Sequence, residues 1–197
     1  MSEIGGIGTH ALFGALFGLL ALERGAELVL SRRHLRQALA RGGRLVPEPV
    51  VWPAMIAVHA GFLVLPTVEV WAFDRPFLPA LAFPALLVAA AAMALRYWAI
   101  ATLGARWSTR VVAVPGEPAV ASGPYRFLRH PNYLAVVLEL AFLPLVHTAW
   151  LSALGFTVAN AVLLASRLRR EEALLAEHAD YAARLGTRRA FLPGRRG

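Results

Sequence analysis

The stretch LAVVLELAFLPLVHTAWLSALGFTVANAVLLAS, residues 134–166, decides the fold of this chain. It runs for 33 residues and contains one charged residue, Glu139. A membrane-spanning helix needs about 20 mostly apolar residues, so this stretch is too long for one upright helix. Because Pro144 and two polar residues lie near its middle, we predict a helical hairpin with arms at about 132–145 and 150–166.

Three further apolar runs precede the hairpin, at 4–22, 50–73 and 77–95. The sequence therefore predicts an all-α, polytopic membrane protein with five transmembrane helices, of which the last two form the hairpin. A bent arrangement with four spans is the alternative. The first run lacks a basic start and a small-residue cleavage site, so we expect a span and not a signal peptide.

The composition excludes several classes of protein. Hydrophobic residues make up 58% of the chain and charged residues 16%, whereas a soluble domain carries about 25% charged residues. Such high hydrophobicity excludes intrinsic disorder, and the absence of cysteine excludes disulfide and cysteine–zinc scaffolds. A net charge of +8 would suit a nucleic-acid binder, but in so apolar a chain it is more typical of a membrane protein's cytoplasmic side. We therefore expect no nucleic-acid partner.

The basic residues predict the orientation. All 20 are arginine, and 18 of them lie in three segments, 31–49, 96–131 and 167–197. The positive-inside rule places these segments in the cytoplasm and the N-terminus outside, which requires an odd number of spans. Arginine without lysine, in a chain rich in Ala, Leu, Gly and Pro, is typical of high-GC bacterial coding. The expected location is the bacterial plasma membrane.

Two units follow from this division. Residues 1–95 hold the first three spans, and the basic cytoplasmic connector at 31–49 could form an amphipathic helix at the lipid surface. The second unit, 96–197, contains three parts: a mostly irregular loop at 96–131, the hairpin at 132–166, and a cytoplasmic C-terminal helix that starts at 167 and continues the last span.

The densest cluster of special residues is SGPYRFLRHPNY, residues 122–133. Gly123 and Pro124 favour a turn, and Pro131 suits the first turn of the helix that follows. His130 would then lie beside a helix N-terminus, where free N–H groups and the helix dipole favour an anion. The alternative is a belt of tyrosine and arginine at the membrane boundary.

A second cluster, RLRREE, residues 167–172, lies at the cytoplasmic end of the last span. Arg167 and Glu171 are four residues apart and share one helix face. The alternative is a solvated run of charges that ends the span.

These motifs resemble the isoprenylcysteine carboxyl methyltransferase family of integral membrane enzymes. The resembling stretch runs from about Arg110 to Pro193. In order along the chain it contains Gly123-x-Tyr125, Arg129-His130-Pro131-x-Tyr133, a hairpin of two spans, Arg167-x-x-x-Glu171-Glu172, Tyr181 and Phe191-x-Pro193. The first three spans match the family only in hydropathy.

The resemblance implies S-adenosylmethionine as methyl donor, bound at the cytoplasmic face, with S-adenosylhomocysteine as product. No G-x-G-x-x-G motif of a Rossmann domain is present. By position in the motifs, the resemblance assigns Arg167 to the acceptor substrate. It assigns eleven residues to the donor pocket: Arg110, Glu117, Pro118, Ala119, Val120, Tyr125, His130, Pro131, Asn132, Tyr133 and Glu171.

The chain departs from the prenylcysteine enzymes after Tyr133, where Glu139 stands about two turns into a membrane helix. A carboxylate there is expensive and functional by default. Glu139 would act on the acceptor, as a base or a hydrogen-bond partner, or would pair structurally with Arg96 or Arg106. We expect Glu69 to be an interface residue. The scattered histidines His10, His59 and His147 are expected to be structural or interfacial, with no metal site.

The predicted function is methyl transfer to an oxygen, a carboxylate or an enolic or phenolic hydroxyl, of a lipophilic small molecule. The departure after Tyr133 resembles a bacterial branch that acts on alkylpyrone or alkylresorcinol lipids. The alternatives are isoprenylcysteine carboxyl methylation and phospholipid N-methylation, and the non-enzymatic alternative is a small transporter or membrane assembly factor. The expected partners are this acceptor and membrane lipid.

Overall fold

The computed structural model of the chain describes residues 2–176 and Phe191. The described residues are mostly helical, in agreement with the all-α prediction. They form five α-helices: α1 (Ser2–Ala40), α2 (Val51–Ala72), α3 (Pro79–Leu103), α4 (Pro131–Phe142) and α5 (Trp150–Ala176). Shorter 3₁₀ helices lie between the α-helices, at Gly104–Arg106, Gly123–Arg126 and Pro144–His147.

Among the described residues, three helical segments are long and apolar enough to cross a membrane: Val51–Ala72, Pro79–Arg106 and Trp150–Leu174. Pro131–His147 is a shorter apolar helix. The run predicted as the first span, 4–22, forms the N-terminal half of α1. The chain is thus a helical membrane protein, while the count of five spans and the orientation stay predictions.

The apolar side chains divide into a core and an outward face. Phe17 of α1, Phe62 of α2 and Leu140 of α4 are buried in one cluster. Large apolar side chains on several helices are instead more than two-thirds exposed: Leu12, Leu22, Leu87, Leu154 and Val162. In water such a surface would be costly, but it suits contact with lipid.

A short turn joins α4 to α5 at the place where the sequence predicts the tip of the hairpin. That both arms span the membrane stays a prediction. α4 ends at Phe142, and Thr148 adopts a left-handed conformation before α5 begins. The carboxylate of Glu69 accepts hydrogen bonds from the backbone N–H groups of Leu151 and Ser152 at 3.2 and 2.7 Å. Glu69 is buried and also pairs with Arg75 at 2.9 Å, so it caps α5 and is not the interface residue we expected.

Two boundaries differ from the prediction. α3 does not end before Arg96 but continues to Leu103, because Arg96 is buried and paired and the next helix breaker is Gly104, at φ 54°. The loop predicted from residue 96 therefore starts about eight residues later. The connector at 31–49 likewise begins as the continuation of α1, which runs on to Ala40.

A two-stranded antiparallel sheet, absent from the prediction, joins the connector to the loop that follows α3. Its strands are β1 (Arg44–Leu45) and β2 (Val112–Ala113), with Arg44 opposite Ala113. Two-residue strands are too short to give a periodic hydrophobic pattern, so the sequence does not reveal them. Their pairing brings the end of the connector next to the cytoplasmic loop.

Candidate active site

A cavity of about 210 Å³ lies between the end of α1, the loop that follows α3, the start of α4, and α5. Nine of the eleven residues assigned to the donor pocket line it: Glu117, Pro118, Ala119, Val120, Tyr125, His130, Asn132, Tyr133 and Glu171. The other two lie elsewhere. Pro131 is buried at the first turn of α4, and Arg110 lies over the ring of Trp52 at 4.8 Å.

The turn before α4 depends on a glycine. Gly123 has φ 53°, a conformation that side chains disfavour. A Cβ atom there would clash with the hydroxyl oxygen of Thr102 in α3. Gly123 therefore lets the loop pack closely on α3, and this packing aims the buried side chain of Tyr125 at the cavity. Burial raises the pKa of the Tyr125 phenol, and the nearby charge of Glu171 raises it further.

The N-terminus of α4 forms one wall of the cavity. His130 precedes the helix and Pro131 occupies its first turn, as predicted. The His130 ring stacks on Tyr133, with ring centroids 5.5 Å apart. Glu172 of α5 pairs with His130 Nε2 at 3.1 Å and with Arg129 at 2.7 Å. Glu172 thus holds the N-terminus of α4 against α5. The sequence did not predict this role.

Glu171 and Tyr133 form the opposite corner. The Tyr133 hydroxyl donates a hydrogen bond to Glu171. Although Arg167 shares a helix face with Glu171, it donates to the backbone carbonyl of Thr109 instead. Two polar atoms of cavity-lining residues, Asn132 Oδ1 and Trp107 Nε1, are buried and have no hydrogen-bond partner among the described residues. The cavity therefore offers an acceptor, a donor and a carboxylate to a ligand.

Several lining residues were not predicted. Arg41, directly after α1, and Arg106 pair with Glu117 at 2.8 and 3.1 Å, and so hold the rim of the cavity. Ten residues that line the cavity were not assigned to the donor pocket: Ala38, Arg41, Leu103, Arg106, Trp107, Ser108, Val112, Ala113, Val114 and Arg129. Half of them lie at the end of α1 or beside the β1–β2 pairing, which the sequence pattern does not show. The concentration of arginine in 31–49 was the available signal for Arg41.

The family model of the isoprenylcysteine carboxyl methyltransferase (ICMT) family matches residues 85–177. This range runs from α3 to α5 and contains every lining residue except Ala38 and Arg41. The chain belongs to this family.

The chain is also similar to one curated protein in sequence and to one solved structure in fold. The chain is 33% identical over 168 residues to the Bacillus subtilis (strain 168) uncharacterized protein YpbQ, across 85% of this chain and 98% of that protein. The fold of the present chain is similar to the structure of the eukaryotic intramembrane Ras methyltransferase ICMT, with a TM-score of 0.51 and 22% identity. That match covers 71% of this chain and about half, 52%, of the solved one. The chain is thus an integral membrane protein of a methyltransferase family.

A second polar cluster lies on the other side of Tyr133 and contains Arg167. This arginine is 4% exposed, and its guanidinium lies 5.7 Å from the centre of the Tyr133 ring. It faces Glu48 at 3.9 Å and the ring of Trp52 at 5.9 Å. Arg110 faces the other oxygen of Glu48 at 3.9 Å. In this ICMT-family chain, Arg167 and the predicted donor pocket therefore share Tyr133 as a wall.

Glu139 has a different partner from the two we expected. Its carboxylate forms an ion pair with Arg24 of α1 at 2.8 Å, whereas Arg96 pairs directly with Glu27 and Arg106 with Glu117. Arg24 also pairs with Glu27 at 2.6 Å, and Glu27 binds Arg96 at 2.8 Å. The sequence placed Arg24 at the end of the first span, but the unbroken α1 carries it to the face of α3 and α4. Glu139 is therefore part of a buried ion network that joins three helices.

The three scattered histidines each have a hydrogen-bond partner. His59 Nδ1 lies 2.8 Å from the backbone carbonyl of Met55. The rings of His10 and His147 are in contact, with centroids 4.8 Å apart. These two histidines therefore lie together, whereas we expected each to lie alone. Their other partners are the carbonyl of Arg75 and the hydroxyl of Thr9. Within the described residues, no group of three or more His, Asp or Glu could hold a metal.

Of the C-terminal motif residues, Tyr181 and Pro193 lie outside the described part of the chain.

Proposed function

We propose that this protein uses S-adenosylmethionine to methylate an oxygen, a carboxylate or an enolic or phenolic hydroxyl, of a lipophilic small molecule in the bacterial plasma membrane. The observation that carries the proposal is the position of Tyr133. One side of this residue lines a cavity rich in family motif residues, and Arg167 lies over its ring. A donor site and an acceptor site that share a wall are what a direct transfer requires.

The cavity residues fit the chemistry of the donor. A carboxylate such as Glu171 suits ribose hydroxyls or the donor's ammonium, while His130 and the N-terminus of α4 suit its carboxylate. The buried Asn132 Oδ1 and Trp107 Nε1 offer an unpartnered acceptor and donor. When bound, S-adenosylmethionine supplies an electrophilic methyl group on a sulfonium.

The acceptor side is cationic. Arg167 and Arg110 are two guanidinium groups around one carboxylate, Glu48. This surplus of positive charge favours an acceptor oxygen that is or becomes an anion, and it disfavours a phospholipid amine. Arg167 would orient that oxygen and stabilise its charge. The acceptor's alkyl chain would enter from lipid, which the outward apolar faces of the helices contact.

Donor binding gives the first test. Purified protein in detergent should bind S-adenosylhomocysteine in the micromolar range by isothermal titration calorimetry. His130→Ala and Glu171→Ala should abolish this binding, because each removes a polar group from the cavity wall. Asp74→Asn is the control, since Asp74 is 95% exposed at the turn between α2 and α3 and should bind like wild type.

Absence of binding to the wild-type protein would refute the enzymatic proposal. Where binding is found, transfer of labelled methyl from S-adenosylmethionine to a bacterial lipid extract identifies the acceptor class. Alkaline hydrolysis of the labelled product distinguishes a methyl ester, which releases methanol, from a methyl ether, which does not.

A further inference from the structure

Glu48 is a buried carboxylate with no hydrogen bond. It lies between β1 and α2, and its side chain is 0% exposed. Among the described residues, neither of its carboxylate oxygens has a hydrogen-bond donor. Buried carboxylates almost always accept hydrogen bonds, since burying a polar group without one is unfavourable. Glu48 is therefore an unusual group in the resting protein.

The two guanidinium groups nearest to Glu48 lie too far from it for a hydrogen bond. Arg110 Nε lies 3.9 Å from one oxygen of Glu48, and Arg167 Nε lies 3.9 Å from the other. These distances exceed those of a hydrogen bond, about 2.7–3.2 Å for N–H···O. Both Nε atoms are themselves buried without a hydrogen-bond partner among the described residues. The two carboxylate oxygens of Glu48 and the Nε–H groups of Arg110 and Arg167 thus face each other without a hydrogen bond.

The backbone fixes this arrangement. Beyond the β1–β2 ladder, the N–H of Val46 donates to the carbonyl of Val111 at 3.0 Å, which brings Glu48 beside Arg110. The carbonyl of Glu48 also accepts the N–H of Trp52 in the first turn of α2. Arg167 comes from α5, and its ring contact with Tyr133 connects the cluster to the donor cavity. Separate elements therefore hold the three groups.

We propose that Glu48 is the base for the acceptor, so that the substrate is a protic hydroxyl of a phenol or enol and not a carboxylate. This inference rests on the proposed function above. A hydroxyl placed among the three groups would donate its proton to Glu48 and accept hydrogen bonds from the arginines. That single group would satisfy one carboxylate oxygen of Glu48 and the Nε–H groups of both arginines.

The step balances without a further reactant. The O–H bond of the acceptor breaks and its proton moves to a carboxylate oxygen of Glu48. The acceptor oxygen then forms the new bond to the methyl carbon, while the carbon–sulfur bond breaks and its electron pair stays on sulfur. Arg167 and Arg110 lower the free energy of the oxyanion that develops between these events.

Glu48 also accounts for selectivity. A carboxylate acceptor would bring a second negative charge against Glu48 in a buried site, which costs more than the same contact in water. A protonated amine would face two guanidinium groups. A neutral hydroxyl of moderate acidity meets neither repulsion. Glu139, whose carboxylate is already paired with Arg24, is not needed as the base.

The charged and titratable groups near Glu48 determine how a pH experiment on this residue is interpreted. Arg110 and Arg167 face its carboxylate, and Tyr133 and Glu171 lie beyond Arg167. Arg170 donates to the carbonyl of Pro47 at 3.1 Å, beside Glu48 in the chain. The arginines stay charged at every working pH.

The kinetic test uses 3-pentadecylphenol as acceptor, in mixed micelles, from pH 6 to 9.5. At pH 7, Glu48→Gln should transfer methyl about 10²–10⁴ times more slowly than wild type, as expected for loss of a general base. The rate of the variant should rise about tenfold per pH unit, because only phenol already ionised in solution can react and its pKa is near 10. The methyl-transfer rate of wild type should depend on pH far less. Glu48→Asp should recover part of the rate that Glu48→Gln loses.

A binding test needs no turnover. Without donor, wild type should bind 3-pentadecylphenol more tightly than hexadecanoate by equilibrium filtration. Glu48→Gln should weaken phenol binding about tenfold and strengthen hexadecanoate binding, so that the preference reverses. Asp74→Asn, which changes the same charge at an exposed position, should leave both affinities unchanged.

The outcomes are separable from those of the proposed function. If wild type binds S-adenosylhomocysteine and methylates an oxygen while Glu48→Gln retains the wild-type rate, pH profile and preference, the role of Glu48 is wrong and the proposed function stands. If Glu48→Gln loses S-adenosylhomocysteine binding as well, Glu48 is structural and the inference also fails. Failure of wild type to bind the donor product contradicts the proposed function itself.

Discussion

The hydroxyl of Tyr133 in α4 donates a hydrogen bond to the carboxylate of Glu171 in α5, and this contact joins the two arms of the hairpin at the wall of the cavity. The same Tyr133 ring stacks on His130 and lies under the guanidinium of Arg167. Its position therefore couples the predicted donor pocket to the predicted acceptor cluster.

Tyr133→Phe separates these contacts, because it keeps the ring and removes the hydroxyl. Loss of a hydrogen bond to a charged group should leave Glu171 less well oriented and weaken S-adenosylhomocysteine binding about tenfold. Calorimetric titration measures the effect. Tyr97→Phe is the matched control, since its hydroxyl donates to Glu23, which does not line the cavity. Equal affinities for the two variants would contradict a role for the Tyr133–Glu171 contact.

Gly123→Ala should destabilise the loop that carries Tyr125. The substitution adds the cost of a positive φ, about 1–2 kcal/mol, and places a Cβ atom in a clash with the Thr102 hydroxyl oxygen. The expected result is a lower melting temperature and weaker S-adenosylhomocysteine binding.

Gly116→Ala isolates the first of these costs. Gly116 has φ 79°, but a Cβ atom there would meet nothing within 4 Å. It should therefore destabilise the protein less than Gly123→Ala does. Thr102→Ala in the Gly123→Ala background should recover part of the loss, because it removes the hydroxyl that clashes. Equal melting temperatures for the two glycine variants would show that the contact with Thr102 is unimportant.

The apolar pattern predicted the positions of α4 and α5 for a physical reason, whereas the cavity-lining residues were assigned by the resemblance to the family. Long apolar runs and proline positions act locally, so they locate α2, the hairpin and the first turn of α4 without knowledge of packing. The motif from Gly123 to Tyr133 is likewise contiguous in the chain. Residues that are close in sequence and share one turn or helix end reach the same cavity wall together.

What the sequence did not predict depends on contacts between distant segments. Arg41 reaches the cavity only because α1 is 39 residues long, and Glu48 meets Arg110 only because β1 pairs with β2. The partner of Glu139 was wrong because the first span was assumed to end near Arg24. A charged residue ends a membrane span but not the helix, which continues where its polar side chains find buried partners.

Tyr125 predicts how stability depends on pH. Burial raises its pKa above the usual value of 10, and the charge of Glu171 raises it further. The phenol thus stays protonated in the folded protein at a pH where the unfolded chain releases the proton. Its contribution is fully present below pH 10 and is lost as pH rises above 10, by at most about 1.4 kcal/mol per pH unit.

Tyr125→Phe tests this contribution, because phenylalanine has no proton to release. Between pH 9 and 11, the melting temperature of this variant should fall less steeply than that of wild type. Thermal scans of the detergent-purified proteins at each pH provide the comparison. Parallel curves for the two proteins would contradict the assignment of this pH dependence to Tyr125.

Glu139 and Arg24 should be coupled in stability, because each is the other's buried partner at 2.8 Å. Arg24→Ala removes the ion-pair partner of the buried Glu139 carboxylate and should cost about 3–5 kcal/mol. Glu139→Ala should cost less, because Arg24 still pairs with Glu27. The double variant should lose less than the two single losses together, since neither charge is then left alone. Unfolding in mixed SDS micelles measures the free energies, and S-adenosylhomocysteine binding at low temperature should persist in Glu139→Ala. A variant of Glu139 that keeps wild-type stability and donor binding but loses methyl transfer would instead support action on the acceptor, and would move the base from Glu48 to Glu139.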